Sequence, residues 1–140
     1  MSKRGREAMA RVPLFASLSP RQLRRLADLT EEQRYMAGAT IVREGETGDT
    51  FYVILEGEAK VVRGKGRVLN HLYPGDFFGE ISLLDGGPRT ASVVSATPLT
   101  MLALSRDAFL RLLRQEPAVA TKLLQHAARL LRRIERTAAG

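Results

Sequence analysis

Phe78-Gly79-Glu80-Ile81-Ser82-Leu83-Leu84-Asp85-Gly86-Gly87-Pro88-Arg89-Thr90-Ala91-Ser92-Val93 is the stretch that interrupts a long succession of strand-like segments. Gly79 to Leu84 has the length of one or two helical turns entered from a glycine, and Gly86-Gly87-Pro88 is a tight loop that delivers Arg89 to the next strand. A glycine-led helix start leaves N–H groups unsatisfied, and with the local dipole these suit an anion. An arginine closing from the far side adds a planar fork that grips phosphate bidentately. From the residues alone, the stretch reads as a phosphate cradle.

Strand periodicity with frequent turns surrounds it. Strands are expected at Ile41-Val42, 50–56, 59–63, 67–72, 90–95 and 99–104. Gly45 to Asp49, Gly57, Gly64-Lys65-Gly66, Pro74-Gly75-Asp76 and Thr97-Pro98 separate them, supplying positive or fixed φ. Many short strands at regular spacing predict an antiparallel sandwich, barrel or jelly roll.

Helices flank this middle. Ser19-Pro20-Arg21-Gln22 has the order of an N-cap, a first-turn proline and a capping-box partner, with Leu18 and Leu23 placed as a hydrophobic staple. It predicts a helix over 20–28, and a weaker one is expected over 5–10. After Ser105, Ala108, Phe109, Leu112 and Leu113 form an amphipathic stripe that must end before Pro117. A second helix then runs to about Arg136, with Val119, Leu123, Ala127, Leu130 and Ile134 on one apolar face and Leu124 and Leu131 widening it. That face needs cover from the roll, a ligand or another subunit.

Composition narrows the function classes. The 140 residues, 44% of them hydrophobic, suit one ordinary domain. With no cysteine, disulfides, thiolate nucleophiles and thiolate metal sites are excluded. The net charge of +7 is uneven: residues 1–34 carry eight Lys/Arg against four Asp/Glu, 35–105 six against eight, and 106–140 eight against three. The cations therefore read as solvated faces of terminal helices rather than as a polyanion site. No window of about 18 apolar residues occurs, so no membrane segment is expected and cytoplasm is the default location. His71 and His126 lack carboxylates at metal spacing, and Ser82 and Ser92 lack a histidine partner. No metal, cofactor or catalytic residue is expected. Asp76 and Asp85 read as turn residues.

The pattern F-G-E-x-x-L-…-P-R-x-A, met at Phe78, Gly79, Glu80, Leu83, Pro88, Arg89 and Ala91, resembles the phosphate-binding cassette of cyclic nucleotide-binding domains. That family includes the regulatory subunit of protein kinase A, nucleotide-gated channels and catabolite activator protein. The resemblance extends to Glu44-Gly45-Glu46, Asp49, the hairpin through Gly57, Pro74-Gly75-Asp76 and both terminal helical parts. It implies an α+β, mainly β fold: an antiparallel β-roll (double-stranded β-helix, or jelly roll) with short N-terminal helices and two C-terminal helices. The expected organisation is one cyclic nucleotide-binding domain over 1–140. Its parts are an N-terminal helical part at 1–29, the roll at 30–105 with the cassette at 78–93, and hinge and lid helices at 106–137.

The resemblance also assigns roles. Arg89 goes to the cyclic phosphate and Glu80 to the ribose 2′-hydroxyl. Main-chain amides of Gly79, Glu80 and Ile81 go to phosphate or ribose, and Ser82, Thr90 and Ala91 complete the ligand-binding set. Electrostatics agrees, since a carboxylate accepts from a hydroxyl and repels a phosphate. A cyclic phosphodiester has one negative charge, which one arginine and a few N–H groups neutralise, whereas a triphosphate would ask for a Walker lysine and a metal. Thr90 leaves cyclic GMP open beside cyclic AMP. The base is expected under the last helix, against Leu123, Ala127, Leu130 and Leu131, with Arg129, Arg132 or Arg133 stacking on the purine.

The function expected is a non-enzymatic sensor that closes its last helix over a 3′,5′-cyclic nucleotide. Its other expected partners are a second copy through the C-terminal helix and an effector of unknown identity. Two readings stand beside it: the regulatory half of a DNA-binding transcription factor of the catabolite activator type, and a ligand-free interaction domain in which Glu80 and Arg89 form an internal ion pair. No DNA-reading helix-turn-helix is expected within these residues, so direct nucleic-acid binding is not expected either.

Overall fold

The computed structural model describes residues 2–139, with side chains through residue 136. It opens with helix α1 (Lys3–Ala10), a 3₁₀ turn (Pro13–Phe15) and helix α2 (Pro20–Leu29). α1 starts earlier than expected because Ser2 caps it, its Oγ accepting from Gly5 N at 2.9 Å. The capping box of α2 forms as the sequence predicts: Gln22 N donates to Ser19 Oγ at 3.2 Å, and Ser19 N donates to Gln22 Oε1 at 2.7 Å. Leu18 is buried and Leu23 packs on the same cluster.

Eight antiparallel strands follow in two four-stranded sheets, which makes the β-roll expected from the sequence. One sheet has the order β1-β8-β3-β6, the other β2-β7-β4-β5. The strands are β1 (Glu31–Tyr35), β2 (Thr40–Val42), β3 (Thr50–Glu56), β4 (Ala59–Arg63), β5 (Arg67–Leu72), β6 (Phe77–Phe78), β7 (Ser92–Ser95) and β8 (Leu99–Ser105). β1 and β6 are not among the strands expected from the sequence. β1 is the charged run EEQRY at a sheet edge, held by its register on β8 from Glu31↔Ala103 to Tyr35↔Leu99 rather than by apolar alternation. The strand expected from Thr90 begins at Ser92, and Thr90-Ala91 form a bend.

β3 runs between β8 and β6, and its two faces feed two cores. Phe51, Val53 and Leu55 pack with Phe15, Leu26, Leu102, Leu104 and Phe109 beneath the helices. Tyr52 and Ile54 pack with Ala59, Phe78, Val93 and Met101 inside the roll. This two-sided burial explains the continuous apolar run in β3. Phe51 is fully buried with its ring 4.6 Å from that of Phe109. Its truncation to alanine would cost about 3–5 kcal/mol.

Ser105 caps α4 (Arg106–Gln115), accepting from Ala108 N at 3.2 Å, and Pro117 opens α5 (Pro117–Ala139). Val119 and Leu123 anchor the first turns of α5 in the helical-side core. Two polar fastenings hold the same end: Gln22 Nε2 donates to Glu116 Oε2 at 2.7 Å, and Lys122 Nζ donates to the Pro13 carbonyl at 2.7 Å. The continuous apolar face expected for α5 is split. Beyond Leu123 it leaves the core: Leu124, Leu131 and Ile134 are more than 60% exposed, Ala127 is exposed, and Leu130 is half-buried.

Candidate functional site

A cavity of about 690 Å³ lies between the 78–93 stretch and α5. Its first wall is built on main chain. Helix α3 (Glu80–Asp85) is bounded by Gly79 at φ 97° and Gly86 at φ 74°, left-handed positions that glycine adopts without strain. Gly79 is also sterically required. A Cβ there would lie 2.7 Å from Arg89 Nη1 and 2.8 Å from the Thr50 carbonyl. Gly48 is similar, since a Cβ on it would overlap the Arg89 guanidinium.

Arg89 is 6% exposed. Its main chain is pinned to the loop before β3, with Arg89 N donating to Glu46 O at 2.9 Å and Gly45 N donating to Arg89 O at 2.8 Å. Its guanidinium donates to the Thr50 carbonyl at 2.8 Å and the Gly79 carbonyl at 3.3 Å. Those bonds fix the orientation while engaging two of the five N–H donors an arginine has. Burial pushes the Arg89 pKa down, against the opposing pull of Tyr52, Asp49 and Glu80. A guanidinium nonetheless stays cationic at neutral pH.

Glu80 is half-buried at the start of α3, and its Oε2 is buried with no hydrogen-bond partner. Burial raises its pKa, with a main-chain hydrogen bond and Arg89 opposing the shift. A buried acceptor left unpaired is costly, and a hydroxyl donor would relieve it. No Glu80–Arg89 salt bridge forms among the described residues: Arg89 is held by carbonyls, and one carboxylate oxygen of Glu80 is left over.

Smaller bonds set the loop. Ser82 Oγ donates to the Pro88 carbonyl at 3.4 Å, and Gly87 N donates to Asp85 Oδ1 at 2.8 Å. Asp76 has the same turn role, accepting from Tyr73 N at 2.8 Å. Gly79, Glu80, Ile81, Ser82, Arg89, Thr90 and Ala91 all line the cavity, with Thr90 and the Ile81 side chain exposed at its rim.

The second wall is one side of α5, where Lys122, Gln125, His126, Arg129 and Arg133 make a polar face with Leu130 beside them. Of the expected base-capping residues, Arg129, Leu130 and Arg133 belong to it. Arg132 does not, because it falls off the 122, 126, 129, 133 face that the helical repeat turns toward the roll. Of the apolar residues expected over the base, Leu123 is buried in the core, and Ala127 and Leu131 lie off the cavity. His126 is a lining residue that sequence reasoning set aside. Its ring sits 4.8 Å from that of Phe77, tilted by 59°. Burial, then Arg129 and Arg133, push its pKa below the ordinary imidazole value, and Asp76 opposes them. The sequence signal for this residue is the polar 4-3-4 spacing of Lys122, His126, Arg129 and Arg133, which runs beside the apolar stripe. Among the described residues no cluster of three or more His, Cys, Asp or Glu is placed to hold a metal ion, and no helix is long and apolar enough to cross a membrane.

The model of the cyclic nucleotide-binding domain family matches residues 32–116. A cAMP-dependent protein kinase regulatory subunit from Colletotrichum orbiculare is 44% identical over 103 residues, which are 73% of this chain and 26% of that protein. A CRP-like cAMP-activated global transcriptional regulator from Mycobacterium tuberculosis is 34% identical over 131 residues, 91% of this chain and 58% of the regulator. The crystal structure of Thermus thermophilus catabolite activator protein superposes with a TM-score of 0.81 at 35% identity, over 89% of this chain and 61% of that one. The chain thus spans about a quarter of the kinase subunit and under two thirds of either regulator.

Proposed function

The chain belongs to the cyclic nucleotide-binding domain family, and from that premise we propose that it is a non-enzymatic cyclic AMP sensor with the 690 Å³ cavity as its binding site. One observation carries the reading. A buried arginine, oriented by two main-chain carbonyls, shares this cavity with a carboxylate that has a buried oxygen unpaired. Arg89 takes the single charge of the cyclic phosphate, with the amides of Gly79, Glu80 and Ile81 around it. Glu80 Oε2 accepts from the ribose 2′-hydroxyl. Ser82, Thr90 and Ala91 complete the wall. The base goes toward α5, where Arg129, Leu130 and Arg133 cover it.

In this reading the whole chain works as one domain: residues 1–29 and the roll at 30–105 form the frame, and 106–137 form the hinge and lid. Closure of α5 is driven by the ligand's higher affinity for the closed form. Cyclic GMP is the competing ligand, through the Thr90 hydroxyl at the rim. A thermal-denaturation scan tests the reading, because ligand at about 100 times its dissociation constant adds roughly 2.7 kcal/mol of stability. No shift with either nucleotide would refute it.

A second reading concerns assembly. Leu124, Leu131 and Ile134 leave an apolar stripe uncovered on α5. Such a stripe suits a second copy of the chain, as expected if this is the sensing half of a dimeric transcription regulator. Light scattering of the wild type against Leu131→Glu tests it, a dimer becoming a monomer.

A further inference from the structure

His126 has no part in the roles proposed above, yet it stands on the cavity wall. Its ring rests against Phe77 of β6, so it is held in place rather than swinging in solvent. Arg129 and Arg133 follow it by three and seven positions on the same face of α5, and Lys122 precedes it by four. Asp76, in the turn before β6, acts on it with the opposite sign. Arg89 and Glu80 line the facing wall.

We propose that His126 is a ligand-facing residue whose imidazole takes up a proton as a cyclic nucleotide enters, so that the cavity binds its ligand more tightly as the medium becomes acidic. This rests on the cavity being the nucleotide site. In the free protein partial burial, and after it Arg129 and Arg133, disfavour the imidazolium and hold the His126 pKa below its ordinary value. A cyclic phosphodiester is a strong acid and brings a fixed negative charge. Placed in the same cavity, that charge offsets the cations and favours the imidazolium.

The sign follows from linkage. The imidazole has a higher pKa in the bound form than in the free one, so affinity rises as pH falls from the bound value to the free value and is flat outside that window. Glu80 also titrates on the acid side, since burial raises its carboxyl. Its contribution is common to wild type and a His126 variant, so the difference between them isolates the imidazole.

Isothermal titration with cyclic AMP at pH 7.5, 6.0 and 5.5, in buffers of different ionisation heat, tests the proposal by counting protons taken up on binding. Wild type is expected to take up a fraction of a proton near pH 6. It should gain roughly threefold to tenfold more affinity at the lowest pH than His126→Phe does, the range Coulomb's law gives for charges sharing a partly wet cavity. His126→Phe keeps a ring against Phe77 and should lose this uptake. His126→Gln, polar but not titratable, should do the same and serves if the first variant does not fold. Wild type and variant binding with the same proton balance would overturn the proposal and leave the binding site standing. No binding by wild type at any of these pH values would overturn both.

Discussion

The two walls of the cavity are built on opposite principles. On the 78–93 side, Arg89 is buried, pinned by its own main chain, and aimed by carbonyls of Thr50 and Gly79. On the α5 side, long cationic side chains project from a helix whose first turns are anchored at Val119, Leu123 and Lys122 and by the Glu116 turn before it, and whose His126 ring rests on Phe77. The first wall is organised by main-chain bonds, and in the proposed reading the second is the adjustable one. If the proposed reading holds, a fixed phosphate site with an adaptable cover would suit a sensor, because differential binding to a moved cover is what shifts a conformational equilibrium.

The fixed wall should give the largest effects. Arg89→Ala is expected to lower cyclic nucleotide affinity at least about 100-fold, in keeping with the 2–5 kcal/mol lost when a buried charge partner is truncated. Calorimetry would read it, and a loss under about fivefold would mean the phosphate is held elsewhere. Gly79→Ala forces a Cβ against Arg89 Nη1 and the Thr50 carbonyl at positive φ. It should cost more than about 1 kcal/mol, seen as a melting temperature lower by several degrees, with weakened binding.

Glu80→Gln is expected to split the two properties. In the folded chain the Glu80 carboxyl titrates above its ordinary value near 4.5. The folded state therefore holds that proton more tightly than the unfolded state, and stability is lost as pH rises through the window above 4.5. Removing the charge should raise the ligand-free melting temperature by a few degrees at pH 7, leave it unchanged at pH 4, and weaken binding about tenfold. A fall in stability at pH 7 would contradict this account of the orphaned oxygen.

The adjustable wall should give the smallest effects. Arg129→Ala and Arg133→Ala are each expected to cost about threefold in affinity at low salt, and less at high salt, because exposed cations are screened. Titrations at two ionic strengths would show it. Losses as large as that of Arg89→Ala would erase the contrast between the walls.

The same contrast explains what the sequence disclosed. Gly79, the Gly86-Gly87-Pro88 turn and Arg89 were legible because positive φ and tight turns demand particular residues at particular spacings. The caps at Ser19 and Ser105 were legible for the same local reason. β1 was not, because a charged edge strand takes its conformation from its neighbour β8. The grip of Thr50 and Glu46 on Arg89 was hidden too, being a tertiary fact with no local spacing. On α5, periodicity gave the helix, but which side faces the cavity depends on how the first turns dock. Periodicity alone therefore does not separate Arg132, which lies off the cavity, from His126, which lines it.

In the proposed reading, the cavity binds a cyclic nucleotide at a preformed phosphate site. Calorimetric titration of the intact chain with cyclic AMP and cyclic GMP tests it most directly. Saturable heat with one site per chain is expected for at least one nucleotide, cyclic AMP first. No heat, and no competition by either nucleotide for the other, would contradict it.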